Sequence, residues 1–593
     1  SSSSSSSSSS EVPVPPTGPE EGNDNLGSCG KEEGDPSYAY SSYPVRLSNG
    51  QIRLLVDDLG SNAFGSIWGQ TRSYANVLNN NEGGINGNSW LLQQLSYLSF
   101  NVGESGENIA LVQGANNSLW FQPDESGGWE PQFTARNQLV HNTVTAEYIV
   151  TRVNGQKMVF YDDEGSHANA LNGQLKSVAD PYGSSVIVRY NAQNQISEIV
   201  QSNGSESSTY RYGYVAGMLE RVTLLVNGAD VRQVIYEYYG NTEAGGSLND
   251  LKRVRIGQYN STIGGWELLR QMAYLYYKSD TLPGFKHGLR YEIGPENYAR
   301  LIDAGLDPFD PNVVGPYADK HFEYDSDHRV SKEAIRGGEK VYEFEYTPNP
   351  DDPGFTDYNI WATKTVETVT QPTGLLKRTV YANKAGSTIL SKKENAPGTE
   401  VWYLFYRFNS QGRVEYTASP SAINSVSEPD TGAGNNSLLV TLNNTSGLIQ
   451  VNTFYATTNL AQGEVATYLA TTGVKKGESG SVAVTHRHTY DYHTVGGTTI
   501  YPKATETNYP VDGGSGNTTT YRYCYFDTDN TSMGYFGYLA INSDDLGNIS
   551  SLEVAEQNET DYNEASQAIL STNWQRFHDA TGLGRLNGPN DSQ

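Results

Sequence analysis

From about Tyr38 onward, apolar and aromatic residues alternate with polar ones over runs of roughly five to eight, a spacing that puts every second side chain on one face. Between Ser185 and Tyr190, the residues Val186, Val188 and Tyr190 share a face, and Ser185, Ile187 and Arg189 share the other. Val401 to Phe408 and Thr518 to Phe526 read the same way. Period two with β-branched and aromatic residues is the signature of a half-buried strand. Only two short stretches predict helix: Trp90 to Leu98, and Glu296 to Gly305 with Pro295 near its first turn. The pattern predicts an all-β chain of many short antiparallel strands joined by tight turns.

Those turns recur as a unit. An aromatic ends a strand, Asp or Asn opens the turn, and the next strand restarts behind Gly-Arg or a relative. The copies are Tyr190-Asn191 with Asn194-Gln195-Ile196, Tyr324-Asp325 with His328-Arg329-Val330, and Phe408-Asn409 with Gly412-Arg413-Val414. The aromatic is expected to pack on the core face, and the Asp or Asn side chain to accept backbone N–H groups ahead of it. The residue before Arg or Gln must take a positive φ. Gly412 does so without a Cβ, and Asn194 and His328 belong to the non-glycine types enriched there. Weaker copies are Phe160-Tyr161-Asp162 with Gly173-Gln174-Leu175, Tyr210 to Tyr212 with Gly217-Met218-Leu219, Val234 to Tyr238 with Asp250 to Val254, and Phe577 to Gly582. Spacings of roughly 20 to 50 residues fit an array of stacked supersecondary units.

At these residues the chain resembles the RHS/YD-repeat family. Asp180-Pro181-Tyr182-Gly183 is similar to that family's Asp-Pro-x-Gly turn. Gly34-Asp35-Pro36, then Pro44 to Gly50, Trp68 to Tyr74 and Gly87-Asn88-Ser89-Trp90, resemble its opening segment, and Tyr416 to Ile423 resembles a subgroup of long secreted bacterial members. The resemblance runs from about Gly34 to the end. It implies hairpin repeats wound as a spiral shell or barrel, serving either in surface contact or as a cocoon around a C-terminal toxin. Cocoon members carry a terminal core rich in Asp-Pro-x-Gly; none follows Tyr406, and the array stops in mid-repeat at Gln593, so a fragment or processed product is expected.

Composition narrows the role. Of 593 residues, 40 are basic and 67 acidic, a formal net charge of −27, which makes nucleic acid and anionic lipid unsuitable partners. No stretch approaches the roughly 20 apolar residues of a membrane span. Residues 1–35, ten serines followed by an acidic Pro- and Gly-containing stretch, read as a disordered linker; 36–150 as an opening β-region; and 151–593 as the repeat array. A poly-Ser tether suits a secreted or cell-surface protein. Cys29 and Cys524 are the only cysteines, too few for a disulfide framework or a thiolate zinc site. They could pair in an oxidising compartment or remain two thiols.

Chemistry-bearing patterns are thin. His486 and His488 share a strand face that a metal could use, whereas Asp491 and His493 fall on the other parity. Asp527 to Asn530 starts like a calcium loop but has Ser532 and Tyr538 where Gly and Glu are required. Asp57-Asp58, Asp351-Asp352 and Asp544-Asp545 are acidic pairs in turn-like contexts that could take adventitious Ca²⁺. No Gly-x-Ser-x-Gly, phosphate loop or His-Glu-x-x-His occurs, so no active site, no metal and no cofactor are expected. The expected role is a secreted structural or interaction protein for adhesion, an envelope layer or a fibre, partnered by itself, other surface proteins or glycans. The alternatives are the shell of a toxin-enclosing protein and a carbohydrate-binding surface built from some of the 42 tyrosines.

Overall fold

The computed structural model describes residues 39–542, apart from short internal segments of which the longest are 61–67, 77–83 and 527–534. The molecule is all-β. A small sheet comes first, formed by β1 (Leu54–Gly60), β2 (Gly69–Tyr74) and β3 (Trp90–Leu92). From β4 (Tyr97–Val102) a single antiparallel ribbon then runs to Tyr535–Asn542, each strand hydrogen-bonded to the next. Two short hairpins hang off it. Ile423–Ser427 pairs with Leu439–Leu442, and His493–Val495 with Thr498–Ile500, while the ribbon strands flanking each pair directly with one another.

Alternation decides which face is buried. In Ser185–Tyr190, Val186 and Val188 are buried while Ile187 is 46% exposed. The expected helix at Trp90 to Leu98 is corrected to strand: Trp90 and Leu92 are buried and Leu91 is not, and all three pair with Arg72–Tyr74. A spacing of aromatic and leucine residues satisfies either period over so few positions, and the neighbouring sheet edge settles it. The second expected helix is present as α1 (Pro295–Asp303), with Pro295 in its first turn. Tyr298 and Leu301 of α1 cover the outer side of the ribbon at Ala273, Leu275 and Ile293.

The ribbon curls back over itself. One apolar core extends from Ala39 to Val380 and includes Val45, Leu47, Ile52, Trp68 and Trp90 of the N-terminal region, which lie on the ribbon's inner face. The backbone N–H of Leu98 donates to the carbonyl of Gly173 at 2.8 Å. Farther along, Arg136 Nη2 donates to the carbonyl of Thr467 at 2.8 Å, across 331 residues of sequence, and Gln138 Nε2 to that of Thr499 at 2.6 Å. The ladder passes through Glu147–Thr151 without a break.

Candidate functional site

The recurring turn has one geometry. Asn191 Oδ1 accepts the N–H groups of Gln193 at 2.9 Å and Gln195 at 3.0 Å. Asp325 Oδ1 accepts those of Asp327 and Arg329, both at 2.9 Å. Asn409 Oδ1 accepts those of Gln411 at 2.9 Å and Arg413 at 3.0 Å. In each, the N–H of the Asp or Asn also donates to the carbonyl of the residue four positions on. Asn194, His328 and Gly412 take φ of 59°, 62° and 78°. A register shift falls at the strand's last pair each time, at Arg189/Tyr190, Glu323/Tyr324 and Arg407/Phe408.

A further copy escaped the sequence reading. Asn383 Oδ1 accepts the N–H of Ser387 at 2.9 Å, Gly386 has φ 85°, and the shift falls at Tyr381/Ala382. Alanine stands where the aromatic should be, with Tyr381 one position earlier.

The aromatic does more than fill space. Tyr190 donates its hydroxyl to the carbonyl of Leu175 at 2.7 Å, and Tyr324 to that of Leu289 at 2.6 Å. Tyr238, Tyr346 and Tyr490 do the same to Leu219, Val330 and Leu469. In each case a phenol at or near the end of its strand reaches the first or second residue of the strand before it. Phe408 has no hydroxyl; its backbone is instead clamped by Asn359, which donates to its carbonyl and accepts its N–H, both at 2.8 Å. Arg329 closes its own turn onto Asp325 at 2.8 Å and Asp327 at 2.9 Å and lies over the Tyr346 ring, while Arg413 lies over Phe454.

The second feature is the seat that holds the small sheet. A bulge between Asp57 and Leu59 turns Asp58 inward, where Arg72 meets it with two nitrogens at 2.6 and 3.0 Å, both side chains fully buried. Burial opposes the charge of Arg72, but Asp58, with Tyr274 and Tyr236, holds the guanidinium ionised. Tyr236 donates to Asp58 at 2.7 Å and accepts from Gln70 at 3.2 Å, and Tyr212 donates to Gln70 at 2.8 Å. Trp90 packs against Arg72 and donates to the Tyr276 hydroxyl at 2.8 Å. Nearby, Asn88 donates to Asp250 at 2.8 Å, and the ring of His287 meets the same carboxylate at 2.7 Å. The Trp68 to Tyr74 and Gly87 to Trp90 elements thus meet tyrosines from three ribbon strands.

These positions correct the acidic-pair reading at Asp57-Asp58. The pair lies in β1, with Asp58 consumed by Arg72 and Asp57 accepting Thr71 Oγ1 at 2.6 Å. Asp351 accepts Asn436 Nδ2 at 3.0 Å. The rings of His486 and His488 stand parallel 6.4 Å apart, with His488 buried opposite Glu506 in the ladder. His493 lies on a separate hairpin. Among the described residues, no three His, Cys, Asp or Glu side chains converge as a metal site. Residues 1–35 with Cys29, the Gly34-Asp35-Pro36 and Asp180-Pro181-Tyr182-Gly183 elements, Pro44, Asp352, Asp527 to Asn530, Ser532, Asp544-Asp545 and Phe577 to Gly582 lie outside the described residues, as does the side chain of Cys524. No helix among the described residues is long and apolar enough to cross a membrane.

The class defined by this fold is an all-β protein with one long antiparallel ribbon. No family model and no curated protein matches the chain. Among solved structures it is similar to a crystal structure of TcdB2-TccC3-Cdc42, with TM-score 0.29 and 10% identity over 74% of this chain and 24% of that one. It is also similar to TcdB2-TccC3-TEV, with TM-score 0.31 and 8% identity over 77% and 23%. A porin-like protein from Bacteroides uniformis gives TM-score 0.15 and 12% identity over 49% and 93%. The chain spans about a quarter of the length of the first two.

Proposed function

We propose that this chain is a section of shell wall of the RHS/YD-repeat type, a secreted structural protein that acts by enclosing and presenting rather than by catalysis. The observation that carries the reading is the inward seat: the ribbon bends around residues of its own N-terminal region and fixes them through the Arg72–Asp58 pair and a fan of tyrosines. Turns of one geometry, those at Asn191 and Asp325 locked to a neighbour by a phenol and that at Asn409 by Asn359, give a wall that extends by repetition. Small-angle scattering and electron microscopy of the purified chain test it. The expected particle is a wound wall with density on its concave side; an extended, uncurled ribbon would overturn the reading.

A contact role for the outside of the wall is supported by the hairpin Leu251–Asn260/Gly265–Tyr276. Near its tip Ile263, Leu268 and Leu269 are 64%, 57% and 52% exposed, beside the edge-to-face pair Tyr259–Trp266. Partners on this reading are a second copy, another surface protein or a glycan. Replacing Ile263, Leu268 and Leu269 together by serine should abolish such binding, scored by pull-down and glycan array, and leave the circular dichroism spectrum unchanged.

A further inference from the structure

Residues between Ala39 and Ile52 cross the inner face of the ribbon strands Val330–Ile335, Lys340–Pro348, Thr363–Gln371 and Gly374–Ala382. Val45, Leu47 and Ile52 are fully buried there. The carbonyl of Tyr40 accepts Arg378 Nη1 at 3.0 Å, that of Leu47 accepts the Thr365 hydroxyl, and that of Gly50 accepts the N–H of Val330 at 3.0 Å. Tyr43 meets Tyr342 edge to face at 5.8 Å. This is a strap laid over a sheet, folded on itself by bonds such as Leu47 N–H to the Ala39 carbonyl and tied at its end to Asn76.

Beneath the strap lie two carboxyl groups that a dry sheet face should not hold. Glu333 is paired in the ladder with Phe322 and Tyr342 and is 0% exposed, and neither of its carboxyl oxygens is held by a short hydrogen bond. Glu367, opposite Phe344, is 5% exposed with Oε1 in the same condition. The Ser41 hydroxyl of the strap lies beside both the Glu333 carboxyl and the carbonyl of Tyr43, and its bond to Glu333 lowers that group by less than burial raises it. The cation beside Glu333, Lys320, is taken at 2.8 Å by Glu292. Arg378 and Lys393 face Glu367, and Arg378 is engaged with Tyr40. The strap's own Arg46 and Arg53 lie over Tyr40 instead. An ionised carboxylate in such a place is strongly disfavoured, and a neutral one far less so.

We propose that the strap between Ala39 and Ile52 is a proton-operated clasp, seated while Glu333 and Glu367 are neutral and loosened when they ionise. Burial, opposed by Lys320 and reinforced by Glu367 and Glu292, pushes Glu333 up to about 8; burial also raises Glu367, against Arg378 and Lys393. The seated carboxyls therefore keep protons that freed ones release above their ordinary range. The strap is held most firmly in acid. Its hold falls as pH rises from the ordinary glutamate value towards 8, roughly tenfold per pH unit for one proton.

This regulation rests on the inward seat used above. Hydrogen exchange of the amides between Ala39 and Ile52, corrected for the intrinsic pH dependence and followed by mass spectrometry on the whole chain, tests it. Protection should fall by at least tenfold between pH 6 and pH 8, while the amides of β2 stay protected. Glu333→Gln should raise protection at pH 8 and flatten the slope, and Glu367→Gln should do so in part. Protection that is high and independent of pH in the unaltered protein, or an unchanged slope in Glu333→Gln, would overturn the clasp and leave the seat standing. A strap without protection at any pH would also overturn the clasp, and only loss of protection in β2 would remove the seat itself. Arg46, which burial and then Arg53 lower to about 9, titrates above this window.

Discussion

A single backbone requirement accounts for letters as different as Asn194, His328 and Gly412, all at positive φ. The cost of a Cβ in that region is on the order of 1–2 kcal/mol, and asparagine pays less of it than most. At Gly412 an added Cβ would also meet the Tyr358 ring at 2.6 Å. Gly412→Ala should thus lower stability by about 2 kcal/mol in urea unfolding, whereas Asn194→Gly should leave it within about 1 kcal/mol of the starting value. The partner position tells the same story from the acceptor side. Asp325→Asn keeps an oxygen for the N–H groups of Asp327 and Arg329 but loses the Oδ2 partner of Arg329, and should cost under about 1 kcal/mol, while Asp325→Ala strips all of these and should cost about 1–2 kcal/mol by the same measurement.

Among the strands and their partners, the Arg72–Asp58 pair joins β1 and β2 to ribbon strands by way of Tyr236 and Tyr274. Arg72→Met leaves Asp58 buried without its cation and should cost about 3–5 kcal/mol in thermal or urea unfolding, with much of that recovered in the double variant Arg72→Met/Asp58→Asn. What sequence could and could not reveal divides at this scale. Alternation in Ser185–Tyr190 and Val401–Phe408 is local, and both are strands. The turn letters are local too, which is why three copies were readable and the one at Asn383, with Ala382 in the aromatic slot, was not. The seat was illegible because its members are far apart; Arg72 and Tyr274 are 202 residues distant and touch only once the ribbon has curled. Glu333 and Glu367 look in sequence like ordinary charged members of alternating strands, and their place on the buried face of Phe322, Tyr342 and Phe344 shows only once the sheet is assembled.

Across the whole molecule, stability is shared between the ladder and a small number of returns where remote parts of the ribbon touch. One return is made by Arg136, bonded to Thr467 and stacked 3.9 Å from the centre of the Tyr468 ring. Arg136→Ala should raise hydrogen exchange around residues 467–499 with only a small change in the unfolding midpoint, because the ladder on either side is intact. The net charge of −27 acts on the same scale. Added salt should raise the midpoint by screening self-repulsion, and calorimetry at low and high ionic strength would register it.

The strict antiparallel order of the ribbon carries a rule for how such a wall can change length. Every strand reverses the chain, so successive bends alternate between an upper and a lower rim. Inserting one strand would send all later bends to the opposite rim and carry every Asp- or Asn-headed turn with them. Inserting two leaves both rims as they were. The excursions at Ile423–Leu442 and His493–Ile500 obey this arithmetic: each leaves and rejoins the ribbon between strands that still pair directly. Growth, loss and decoration of this wall are quantised in pairs of strands, and chains of this architecture with different lengths should differ by even numbers of them.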